Sequence, residues 1–179
     1  MLTKRTLFTA FGVVILLIAG TIFSNGVTKN SSIEPNLTTT TEKKGSLAPD
    51  FSLLNTEGEL VNLYDFKGKV IILNFWATWC GPCKMEIPGF VKLQKKYKDD
   101  LVIIGISLDQ QGENVVLPFM ERFRINYPIL YGDSKVIRDY GGIQGIPTTF
   151  VIDRNLIIQR KYVGYRSDEL FKKDIEEFK

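Results

Sequence analysis

From Leu47 to Lys179 the chain reads as a mixed α/β domain. Three observations predict this. "KVIILNFWA", Lys69 to Ala77, and "LVIIGISL", Leu101 to Leu108, are apolar runs rich in β-branched residues, which suits strands covered on both faces. Between them, Lys84 to Tyr97 places Met85, Phe90, Val91, Leu93 and Tyr97 at helical spacing, with Lys92, Lys95, Lys96 and Lys98 polar. Strand, helix and strand in that order imply a parallel pair joined by a right-handed crossover.

The remaining elements follow in order. "FSLLNTEGELVNL" has two short apolar runs around Thr56-Glu57-Gly58-Glu59 and reads as an N-terminal β-hairpin. After the second long strand, a helix is predicted within Glu113 to Arg124, then a short strand at Ile129 to Tyr131 and a short helix from Ser134 to Tyr140. "TTFVID" and "LIIQRKYVG" around Asp153-Arg154-Asn155 predict an antiparallel hairpin, and Asp168 to Phe178 a last amphipathic helix.

The first 46 residues differ in kind. Lys4 and Arg5 precede the uncharged run Leu7 to Phe23. As a helix those residues span roughly 26 Å, slightly short of a hydrocarbon core of about 30 Å. Residues 1–24 therefore read as a retained membrane anchor or as the apolar part of a signal peptide. The anchor is favoured, because Ser24-Asn25-Gly26 matches a cleavage site poorly. On either reading the basic residues stay cytoplasmic and the remainder crosses the membrane. Residues 25–46, rich in Thr, Ser, Asn and Lys, read as a flexible tether, leaving residues 47–179 as the folded domain.

Composition limits the chemistry. The net charge of +3 is carried by the leader, where Lys4, Arg5, Lys29, Lys43 and Lys44 outnumber Glu34 and Glu42. The folded part is neutral, with no basic block interleaved with aromatics, so nucleic acid is not an expected partner. There is no histidine. Cys-His and Ser-His catalytic pairs are thereby excluded, and a zinc site would need paired carboxylates or a second chain, so no metal or cofactor is expected.

The only two cysteines stand in "FWATWCGPCKMEIP", Phe75 to Pro88. A bridge between Cys80 and Cys83 would close too short a loop to stabilise the fold much. Redox exchange suits the pair better. Cys80 falls where the strand ends and the helix begins, facing unpaired N–H groups and the positive end of the helix dipole, which favour a thiolate. Residues three apart share a helical face within disulfide reach, and Pro82 is tolerated in a first turn because its missing N–H would be unpaired anyway. Glu86, three residues beyond Cys83, lies on that face too. It reads either as a proton relay or as an acid interacting with the helix dipole.

"FWATWCGPCK" resembles the active-site strand, turn and helix start of thioredoxin, and "GIPTTFVID", Gly145 to Asp153, resembles the thioredoxin segment with a cis-proline facing the disulfide. The closer resemblance is to the membrane-tethered TlpA-like and ResA-like thiol-disulfide oxidoreductases, whose pattern "APDFSL…L…GK…NFWATWCGPC…E…P" runs here from Ala48 to Pro88. It implies a thioredoxin-like fold with a central mixed β-sheet flanked by helices, the N-terminal hairpin, and a central insert over roughly Asp109 to Tyr131. It also implies Cys80 as attacking thiolate, Cys83 as resolving thiol and Pro147 as the cis-proline, with Ile146 offering backbone hydrogen bonds to substrate. Glu86 matches a carboxylate held near the cysteines in ResA-like proteins. Trp79, with Gly81 and Pro82, would shape the docking surface, and Trp76 would belong to the core. Thioredoxin has a buried Asp in the preceding strand where this chain has Asn74, which cannot take a proton. That departure favours the tethered family.

The function this implies is extracytoplasmic reduction of protein disulfides, in secreted proteins or apocytochrome c. The partners implied are protein disulfide or dithiol substrates, a membrane electron donor, and the lipid bilayer through residues 7–23. Two rivals stay open: a peroxiredoxin-type thiol peroxidase, which also begins with "APDFSL" but lacks here the Pro-x-x-x-Thr-x-x approach to its cysteine, and a non-catalytic thioredoxin-fold binding module.

Overall fold

The computed structural model describes residues 45–179; the expected anchor and all but the last two residues of the expected tether lie outside the described residues. Five strands form the central sheet, β3 (Val70–Trp76), β4 (Leu101–Ser107), β5 (Ile129–Tyr131), β6 (Thr148–Ile152) and β7 (Ile158–Val163), in the order β5-β4-β3-β6-β7. β3, β4 and β5 pair in parallel, whereas β6 and β7 run antiparallel, which gives the mixed sheet. The helices are α1 (Gly81–Lys96), α2 (Glu113–Phe123), α3 (Ser134–Asp139) and α4 (Asp168–Phe178). β1 (Ser52–Leu54) and β2 (Leu60–Asn62) make the predicted hairpin as a separate two-stranded sheet.

All of β3 and β4 is buried, as continuously apolar strands require. Alternation along β3 divides the core in two: Val70, Ile72 and Trp76 face α1 and α4, while Ile71, Leu73 and Phe75 face the hairpin and α3. Each such side chain contributes about 1.5–3 kcal/mol when fully buried. Asn74 shares its face with Ile72 and Trp76, so one polar group is aimed at α1 from within an apolar strand. Gly105 on β4 leaves space for the Trp76 indole, because a Cβ there would lie 2.9 Å from Trp76 Nε1 and 2.5 Å from Ile129 Cδ1.

The elements appear where the sequence places them, with two refinements. α1 begins at Gly81, directly after Cys80, so the first turn contains the motif itself. Strand-like pairing also starts earlier than Leu47: Gly45 N–H donates to Ile158 C=O (2.8 Å), and Ile158 N–H donates to Ser46 C=O (2.8 Å). Among the described residues, no helix is long and apolar enough to cross a membrane.

Candidate active site

Cys80 is the N-cap of α1, in extended conformation (φ −78°, ψ 111°). Its Sγ accepts the Cys83 N–H at 3.2 Å, and its carbonyl accepts the Lys84 N–H at 3.2 Å. In the structure Cys80 and Cys83 are joined, with Cα atoms 5.3 Å apart. A sulfur in this position receives an N–H and the positive end of a 16-residue helix, which lowers the energy of a thiolate once the bond is reduced. Both cysteines are buried, whereas Gly81 and Pro82 are exposed and Trp79 is 68% exposed. The approach to the sulfurs is therefore over this turn.

Two neighbours fix the turn. Thr78 is clamped by Asp109, which lies just beyond the end of β4: its carboxylate accepts the Thr78 N–H (2.9 Å), the Thr78 hydroxyl (2.7 Å) and the Ser107 hydroxyl (3.0 Å). Beside this clamp a hollow of about 380 Å³ opens between Trp79, Leu108, Gln110, Gln111 and Val115. On the other side, the Ile146–Pro147 bond is cis. Register places it: Thr148 pairs with Phe75, so Pro147 lies at the sheet end where β3 gives way to the cysteine turn. Pro147 is buried, and Ile146 packs against the cluster that contains both cysteines.

Glu86 is 3% exposed. Its Oε1 accepts the backbone N–H of Arg166 (2.7 Å), and its Oε2 accepts a long bond from Asn74 Nδ2 (3.4 Å), which also donates to Thr149 Oγ1 (2.9 Å). Burial pushes the carboxyl up from 4.5 to about 7, against the pull of the Arg166 N–H, the Arg166 charge and Asn74. Its oxygens are taken by these groups and not by the free N–H groups of the helix start, and no acid occupies the first turn of α1. Arg166, Thr149 and Asp109 join this site without any local motif that marks them.

Residues 45–161 match the model of the AhpC/TSA family. The chain belongs to that family. It is 33% identical over 171 residues to the thiol-disulfide oxidoreductase ResA of Geobacillus thermodenitrificans, covering 93% of this chain and 92% of that one. It is also 38% identical over 137 residues to the thioredoxin-like protein YneN of Bacillus subtilis, covering 75% of this chain and 78% of that one. Among solved structures, a thioredoxin-family thiol:disulfide interchange protein from Chlorobium tepidum superimposes with a TM-score of 0.70 at 34% identity, over 76% of this chain and 98% of that one. With its paired cysteines and these relatives, the chain is a thiol-disulfide oxidoreductase. Neither the peroxidase nor the binding-module reading is favoured.

Proposed function

We propose that the protein works outside the cytoplasm, held to the membrane by residues 7–23, and reduces disulfides of secreted proteins or of apocytochrome c. The observation that carries the reading is a covered Cys80–Cys83 pair on the same helix as a buried carboxyl whose pKa is about 7. In the reduced protein, Cys80 Sγ attacks one sulfur of the target disulfide, a mixed disulfide forms, and the other target sulfur leaves as a thiolate. Cys83 then loses its proton and attacks Cys80 Sγ. The Cys80–Cys83 bond closes, the second target thiol departs, and two electrons have passed to the target.

Glu86 receives the Cys83 proton in this scheme. A carboxyl with a pKa about 7 is close to half ionised at neutral pH, where a group best serves as both acceptor and donor. Asn74, which holds Glu86, has no proton to exchange. A membrane electron donor regenerates the dithiol.

The direction is tested by the redox potential of the pair, expected in the reducing range near that of thioredoxin; a value above about −150 mV would overturn it. The substrate is tested by deleting the gene and assaying c-type cytochromes. Normal haem attachment would remove apocytochrome c and leave other secreted proteins.

A further inference from the structure

Between β7 and α4 runs a short strap, Gly164 to Arg166, to which the exchange scheme assigns no part. At one end, Gly164 N–H donates to the Pro147 carbonyl at 2.7 Å. Two residues later, Arg166 N–H donates to Glu86 Oε1 at 2.7 Å. The Arg166 side chain folds back along the strap: Nη1 donates to Tyr165 C=O (2.7 Å) and Gly164 C=O (3.4 Å), and Cζ stands 5.6 Å from the centroid of the Tyr162 ring. Gly164 takes a left-handed φ of 83°, which lets the chain turn from the proline towards the carboxylate. The flanking residues Val163 and Tyr165 are 56% and 42% exposed.

We infer that Arg166 is a positioning residue for disulfide exchange: by closing the strap on itself it holds one backbone N–H on the docking proline and another on Glu86, so that substrate docking and proton transfer are mechanically linked. The inference rests on Glu86 being the group that takes the Cys83 proton. The groups around Glu86 are neutral Asn74 on β3, the buried phenol of Tyr127 ahead of β5, and Arg166, with Cys83 three residues earlier on its own helix. Asp168 of α4 packs on α1 one turn further on, its Cβ 2.8 Å from where a Cβ on Gly89 would lie. Arg166 is the only cation in this set. Its loss removes a charge that favours the ionised carboxylate and frees the loop that presents the N–H.

The test uses the full-length protein. Infrared titration of the protonated carboxyl band, identified by its disappearance in Glu86→Gln, is compared among wild type, Arg166→Ala, Arg166→Gln and Arg166→Lys. The midpoint is expected to move upward in Arg166→Ala and to return towards wild type in Arg166→Lys. Arg166→Gln keeps a side-chain donor for the strap without the charge, and serves in place of Arg166→Ala should that variant fold poorly. The KM for insulin reduction is expected to rise several-fold in Arg166→Ala, with little change for a small aromatic disulfide that makes no polypeptide contact. A titration and an insulin KM that both superimpose on wild type would overturn the inference. If Glu86→Gln leaves the wild-type pH–rate profile unchanged, the proton-transfer role of Glu86 and the linkage built on it both fall. If that profile changes but the Arg166 variants do not differ from wild type, only the linkage falls.

Discussion

Glu86 on α1 and Asp174 on α4 are buried carboxyls on helices that cover the same face of the sheet, 3% and 4% exposed. Burial raises the pKa of both. Their partners differ. Asp174 accepts the Tyr162 hydroxyl at 3.0 Å, and its Oδ1 lies 3.9 Å from Nε of Arg160, whose Nη2 also holds both oxygens of Glu177. Burial, together with that same bond, pushes the Tyr162 phenol up to about 12. Glu86 accepts one backbone N–H and one long amide bond, and no guanidinium touches it. Asp174 is thus bonded to a phenol and paired with a cation, whereas the direct donors to Glu86 are a backbone N–H and an amide, and burial carries its pKa to about 7. Burial alone therefore does not mark the carboxyl that serves the chemistry.

The largest expected effect tests whether the redox centre lies beside Glu86 at all. Cys83→Ser should abolish turnover and trap a covalent adduct between Cys80 and a target thiol, seen by mass spectrometry without reductant; no adduct would displace Cys80 as the attacking residue. Next comes Glu86→Gln, expected to slow disulfide reduction about tenfold or more. It should also change stability in a pH-dependent way. With a folded pKa of about 7 against 4.5 for an ordinary glutamate, the native state binds the extra proton between these limits, so wild-type stability falls as pH rises through that window. The variant lacks this loss, and its stability relative to wild type should grow by up to about 3 kcal/mol between pH 4.5 and 8, as followed by denaturant unfolding.

Asp174→Asn is the matching test on the other side. It should cost about 1–3 kcal/mol of stability, by weakening the Tyr162 and Arg160 contacts, and leave insulin reduction within about twofold of wild type. A large loss of turnover at unchanged stability would erase the distinction between the two carboxyls. The smallest effect is that of Trp79→Ala, which touches neither carboxyl. Thermal stability should change by less than about 0.5 kcal/mol because the ring is exposed, while the KM for a polypeptide disulfide rises a few-fold.

Much of this was legible in the chain. The runs at Val70–Trp76 and Leu101–Ser107 are long and uninterrupted, so their burial could be read directly, and the cysteine pair and Ile146–Pro147 are marked by local motifs. Glu86 was legible as a neighbour of Cys83, because helical spacing is a local rule. Its environment was not. Arg166 lies 80 residues away, and only the return of β7 alongside β6 brings it to Glu86; nothing in "GYRSD" marks that contact. The Arg160–Tyr162–Asp174 group was hidden for the same reason. Asp109 is intermediate: β3 and β4 are parallel and in register, so a residue just past the end of β4 must lie near one just past the end of β3, and that geometry could have paired it with Thr78.

The two tryptophans, three residues apart, divide between core and surface, with Trp76 tilted against Phe119 at 5.1 Å between ring centroids and Trp79 open to water. Their light emission should divide in the same way. Trp76 would emit at shorter wavelength and report on unfolding, while Trp79, beside the sulfurs, would emit at longer wavelength and respond to whatever settles on it. One native chain thus contains two optical probes of known position, so that loss of structure and arrival of a target can be followed separately in one cuvette without a label.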